Sequence, residues 1–231
     1  MAAVSPLLRR AVAEMLGTAF LVAAVIGSGV AARQLSPHDT GLQLLENSLV
    51  TGAALTALIL ALQPVSASFN PVVTLAERFL GRIASGEAAA LVAAQILGGV
   101  VGAVIANLMF GLDAISISTH HRVTGGHLLG EVVATLGLVV VVFGALRSPR
   151  TETVAFAVGG YITAAYWFTS STSFANPAVT LARTLSDTFA GIAPASVAAF
   201  VLMQLLGGAL GAGLVLLMHP QRMTVPAEEA S

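Results

Sequence analysis

One polar motif occurs twice in an otherwise apolar chain: Asn-Pro-Val-Val-Thr-Leu-Ala at residues 70–76 and Asn-Pro-Ala-Val-Thr-Leu-Ala at residues 176–182, 106 residues apart. Asn is a strong helix N-cap, and Pro is favoured at the first helical position because its missing N–H has no intrahelical partner to lose. Asn70-Pro71 and Asn176-Pro177 therefore mark helix starts. The helices they open, Val72 to about Phe79 and Ala178 to about Leu185, are too short to cross a bilayer. Each start carries a partial positive charge of roughly half an elementary unit. Two starts meeting near a membrane midplane would repel cations, hydronium included, while two neutral Asn amides offer hydrogen bonds to an uncharged solute.

Such helices need a protein frame, because lipid tolerates irregular backbone only where protein buries it or where it lines a water-filled cavity. The polar strings before the boxes, Val65–Ser68 and Thr169–Ser173, suit that lining role. The composition supplies the frame. Of 231 residues, 56% are hydrophobic and 9% charged, against roughly 25% charged in soluble domains. Six segments are long and apolar enough to span: 9–32, 44–63, 87–110, 127–146, 153–169 and 194–218. The first 33 residues have some features of a secretory signal, but Glu14 sits inside their apolar run, so the segment reads as a retained span.

The two halves match feature by feature. Glu14 with Thr18 in span 1 is answered by Glu131 with Thr135 in span 4. Gln95-Ile-Leu-Gly-Gly in span 3 is answered by Gln204-Leu-Leu-Gly-Gly in span 6, with Gly102 and Gly211 three residues further on. Three spans per copy is an odd number, so the second copy (about 119–231) enters the membrane inverted relative to the first (about 1–118). The whole chain, 1–231, then forms a single channel-like domain. The paired glycines read as small-residue faces for close helix packing.

Arg placement sets the orientation. Arg9, Arg10, Arg78, Arg82, Arg147, Arg150 and Arg222 fall on one side, and Arg33, Arg122 and Arg183 on the other. This asymmetry predicts a multi-pass protein of the cell's inner (plasma) membrane with cytoplasmic N- and C-termini.

The paired Asn-Pro boxes, the two intramembrane glutamates and the Gln-x-x-Gly-Gly signatures together resemble the aquaporin and glycerol-facilitator family over the whole chain. The resemblance implies an all-α membrane protein: six transmembrane helices plus two re-entrant half-helices, arranged as an inverted repeat in a right-handed bundle. It implies a homotetramer with one pore per subunit and passive passage of water or small uncharged solutes. It also implies the mid-pore barrier of half-helix dipoles described for aquaporin-type channels. The pore residues are then Asn70, Pro71, Val72, Asn176, Pro177 and Ala178.

Glu14 and Glu131 are the only acids well inside spans, and an intramembrane carboxylate is a functional hypothesis by default. Proton coupling is one reading. In the other, which the resemblance implies, each accepts hydrogen bonds from the re-entrant backbone, with Gln95 and Gln204 as further structural support. An Arg10–Glu14 pair one turn apart is a third. One carboxylate per half favours the scaffold.

The departures from the family pattern concern the solute. Water-selective members have Arg directly after the second box, and glycerol-type members have Arg then Asp; here the residues are Val179 and Thr180. The other constriction positions fall near Thr51, Thr163 and Ser173. These four would make a wide, uncharged, hydroxyl-bearing mouth suited to polyols. It resembles arginine-lacking bacterial members associated with arsenite-type metalloid hydroxides. Arg183, four residues beyond Val179, either reaches this mouth along the shared helix face or anchors the half-helix end at the outer surface.

Other classes find little support. Cysteine is absent, which excludes thiol nucleophiles and zinc–cysteine sites. His120, His121 and His127 lack a completing donor set beyond Asp113 and read as a solvated loop, so no metal or other cofactor is expected. No nucleophile constellation suggests an enzyme. No basic patch suggests nucleic acid, so the expected partners are small neutral solutes and membrane lipid. Two rivals remain: an inverted-repeat secondary transporter coupled through Glu14 and Glu131, and a structural membrane protein without flux.

Overall fold

The computed structural model describes residues 4–150 and 152–219; Arg222 and the C-terminus, used above for orientation, lie outside the described residues. The described residues form helices α1 (Pro6–Leu35), α2 (Thr40–Leu62), α3 (Pro71–Phe79), α4 (Ser85–Met109), α5 (Gly125–Ala145), α6 (Glu152–Phe168), α7 (Pro177–Ala182) and α8 (Pro194–Met218). A 3-10 turn, Arg183–Leu185, continues α7. Five helices have the length and hydropathy of a membrane span, and α6, with 17 residues, is the shortest of the six long ones. The six segments expected from hydropathy fall on α1, α2, α4, α5, α6 and α8, and the two Asn-Pro boxes open α3 and α7.

Local chemistry sets the helix starts. The side chains of Ser5, Asp39 and Thr124 accept the amides of Leu8, Leu42 and His127 at the heads of α1, α2 and α5. Pro occupies the first turn of α1, α3, α7 and α8, where no intrahelical N–H is needed.

The two halves pack alike. α1 lies on α4 as α5 lies on α8, and α2 joins α6 across the halves. In lipid there is little hydrophobic drive between helices, so association depends on close backbone approach. A methyl added at Gly98 or Gly102 would collide with the carbonyl oxygens of Met15 and Ala19 on α1. One at Gly211 would stand 2.8 Å from the Leu136 carbonyl oxygen and 2.9 Å from Val139 Cβ on α5. One at Gly208 would strike Val72, the packing neighbour that α3 presents to α8. The packing role read for these glycines is their role in the structure.

Candidate pore and selectivity region

The starts of α3 and α7 meet head to head. Asn70 Oδ1 accepts the Val72 amide at 2.9 Å, and its Nδ2 donates across the junction to the Ala175 carbonyl at 2.8 Å. Asn176 Oδ1 accepts the amides of Ala178 and Val179 at 3.0 and 3.2 Å, and its Nδ2 donates to the Phe69 carbonyl at 2.7 Å. Each Asn thus caps its own half-helix and ties it to the other. One N–H of each amide is left for the cavity that both residues line.

The residues just before the caps, Phe69 and Ala175, both have φ 48°, in the left-handed region that non-glycine residues rarely adopt. The glutamates hold them there. Glu14 Oε1 accepts Ser66 Oγ at 2.5 Å and the Ser68 amide at 2.9 Å; its Oε2 accepts the Phe69 amide at 2.7 Å and Gln95 Nε2 at 2.8 Å. Glu131 Oε1 accepts the Phe174 amide at 3.0 Å; its Oε2 accepts the Ala175 amide at 2.9 Å and Gln204 Nε2 at 2.6 Å. Gln95 and Gln204 each reach a hydroxyl on the half-helix as well, Thr74 and Thr180, both at 2.8 Å. Both carboxylates are fully buried, with every oxygen engaged. Arg10 pairs with Glu87 on α4, not with Glu14.

One cavity of about 530 Å³ follows this junction. Its middle is lined by Asn70, Asn176 and Phe69. One end carries Arg10, Glu77 and Arg150; the other carries Thr51, Tyr166, Ser173, Phe174, Val179 and Arg183. Thr51 Oγ1 and Tyr166 Oη pair at 3.2 Å. Ser173 Oγ is buried without a hydrogen-bond partner among the described residues. Pro71, Val72, Pro177 and Ala178, expected among the pore residues, are instead buried behind the lining and set the half-helix starts against the bundle.

Three further expectations change. Thr163 does not reach the cavity: its hydroxyl donates to the Gly159 carbonyl at 2.9 Å and packs against Gly52, in a close α2–α6 crossing where Thr56 packs reciprocally against Gly159. Tyr166, three residues on and turned about 60° around the helix axis from Thr163, lines the cavity instead. The second polar string lines it only at Ser173. Thr169 bonds the Ala165 carbonyl, Ser170 bonds the Gly126 carbonyl, and Ser171 accepts the Ser173 amide. The mouth is also not uncharged. Arg183 is 3% exposed and lines the cavity; its Cζ lies 3.5 Å above the Phe174 ring and its Nε donates to the Ala190 carbonyl.

Tyr166 and Phe174 carried no motif signal, and only their nearness to Ser173 and span 5 hinted at them. The loops at this end hold it in place: Asn107 donates to the Leu185 carbonyl and accepts Ser186 Oγ, and Arg122 donates to the carbonyls of Gly191 and Phe189. Burial lowers the Arg122 guanidinium from its ordinary value, and the Thr119 amide holds the Asp187 carboxyl below the usual range. His127 bonds the Arg122 carbonyl, and His120 lies 3.7 Å from Asp187.

Six long helices around two half-helices joined at their capped starts define a membrane channel rather than an enzyme. The chain belongs to the major intrinsic protein family, whose model matches residues 1–165. It is 46% identical to aquaglyceroporin AqpS of Rhizobium meliloti (strain 1021), over 94% of this chain and 93% of that one. It is 32% identical to aquaporin NIP1-2 of Arabidopsis thaliana, over 68% of this chain and 56% of that protein. The fold is similar to the X-ray structure of the aquaglyceroporin from Plasmodium falciparum, with TM-score 0.69, 18% identity, and 94% and 97% of the two chains covered.

Proposed function

We propose that the chain conducts water and small uncharged, hydroxyl-bearing solutes passively along the cavity through the Asn70–Asn176 junction. The observation that carries this reading is the reciprocal capping: two helix starts face one cavity, with two neutral amide donors between them. The positive ends oppose cations at the point where a solute's water partners are replaced by Asn70 and Asn176. A neutral polyol or water meets no such opposition. The saturated hydrogen bonding of Glu14 and Glu131 supports a scaffold and leaves no free oxygen for ion coupling, so the transporter reading is not favoured.

Selectivity in this reading rests on Thr51, Tyr166, Ser173, Phe174, Val179 and Arg183. Val179 leaves room that an Arg at that position would fill, and the Thr51, Tyr166 and Ser173 hydroxyls offer partners to polyols or metalloid hydroxides such as arsenite. Both halves form one channel domain, placed in the inner membrane with cytoplasmic termini and assembled as a homotetramer. Stopped-flow light scattering on proteoliposomes tests the function, comparing osmotic water flow with glycerol and arsenite entry. Fast water and glycerol entry above the protein-free rate, unchanged by a proton gradient, is the expected result. Entry that follows the gradient, or no flow at all, refutes the proposal.

A further inference from the structure

We infer that the outer end of the cavity is an anion site built on Arg183, which takes a small oxyanion of the carboxylate or sulfonate type. The inference rests on the cavity being the conducting path. Buried charges are ordinarily paired, because desolvating one without compensation is costly. Arg183 is buried, yet the two terminal nitrogens of its guanidinium have no acceptor among the described residues, and no described carboxylate pairs with it. The nearby acids are engaged elsewhere. Both oxygens of Glu131 hold the Phe174 and Ala175 amides and Gln204, and Asp187 holds Thr119.

The guanidinium is also held in place. Nε is committed to the Ala190 carbonyl, and the Phe174 ring lies beneath the group, itself fixed edge-on against Phe200 at 5.3 Å. This leaves the terminal donors as a preset fork, the geometry that matches a two-oxygen anion. A second cation adds to the potential: Arg122 Cζ lies 5.3 Å from the same Phe174 ring. Ser173 Oγ, buried and unpartnered, and the Thr51–Tyr166 hydroxyl pair line the same cavity and supply further hydrogen bonds as the anion sheds water. The apolar walls of Val179 and Phe174 limit the site to a small ligand. In contrast, Arg10 at the other end of the cavity is neutralised by Glu87.

Methanesulfonate is a suitable probe, because it stays ionised at all working pH values and cannot cross lipid as a neutral acid. Water flow into proteoliposomes of the full chain is compared with potassium methanesulfonate or potassium gluconate, a larger anion, on both faces at matched concentration, under the same imposed sucrose gradient. The expected result is a saturable slowing in methanesulfonate, about twofold when its concentration equals the dissociation constant, in the millimolar range. Arg183→Leu and Arg183→Gln should lose the difference between the two salts whatever their absolute flow, and Arg183→Lys, which keeps the charge without the fork, should retain a weaker one. Equal flow of the unmodified chain in both salts overturns the site, and so does a difference that survives in Arg183→Leu or Arg183→Gln. No channel-dependent flow in either salt would instead sink the proposed function. Flow without an anion effect removes only this inference.

Discussion

Glu14→Gln and Glu131→Gln separate a scaffold carboxylate from a proton carrier, and the structure gives the size of the effect. In each half the two backbone amides go to different oxygens: Ser68 and Phe69 to Oε1 and Oε2 of Glu14, Phe174 and Ala175 to Oε1 and Oε2 of Glu131. Glutamine has one acceptor oxygen. Side-chain partners such as Ser66, Gln95 and Gln204 can turn round and accept from the new amide, but a backbone N–H cannot. One buried amide per half is therefore orphaned in either rotamer, at roughly 1–3 kcal/mol. The surviving amide exchanges a charged acceptor for a neutral one, which costs about 1 kcal/mol more. The total, roughly 2–4 kcal/mol, lowers the thermal unfolding midpoint in detergent by roughly 5–15 °C, with similar losses in the two halves. Because the orphaned amide adjoins Phe69 or Ala175, whose left-handed backbone itself costs roughly 1–2 kcal/mol, the junction loosens and water flow falls with stability. Midpoints unchanged within about 1 °C, together with a shifted pH dependence of flux, would refute the scaffold argument and restore proton coupling.

Val179→Arg fills the cavity wall one turn before Arg183, and glycerol entry should fall about tenfold, an added barrier near 1.4 kcal/mol, while water still passes; undiminished glycerol entry by light scattering would remove Val179 from the constriction. Asn176→Asp keeps a helix cap but places a carboxylate between the two positive helix starts, so a pH-sensitive dye in the vesicle lumen should report a faster proton leak than in the unmodified chain. Gly211→Ala sets a methyl against the Leu136 carbonyl and should destabilise by about 1–3 kcal/mol, whereas Gly213→Ala, with nothing within 4 Å, should be neutral or gain up to about 1 kcal/mol; equal midpoints for the two variants would contradict the close α5–α8 crossing.

The sequence by itself determined the architecture, because its signals are local or repeat. Hydropathy over some 20 residues is a property of one segment, and so it placed the six long helices. Asn followed by Pro is a cap followed by a first-turn residue, so the starts of α3 and α7 were legible at Asn70 and Asn176 before any tertiary contact was known. Repetition supplied the rest: Glu14 and Glu131, or Gln95 and Gln204, recur in the same order, and the structure gives each pair matching hydrogen bonds. The tertiary structure alone decided the lining of the mouth around Arg183. Which face of α6 turns inward depends on its crossing with α2, where Gly52 and Gly159 bring the backbones together; that rotation puts Thr163 in the helix contact and Tyr166 on the cavity. Arg183 turns inward because Phe174 and the Ala190 carbonyl, brought from two other segments, receive it there. Sequence spacing can say that Val179 and Arg183 share a helix face. What that face meets is set by how the segments on either side of the half-helix fold back over it, so the charge at the mouth became visible only once the loops were in place.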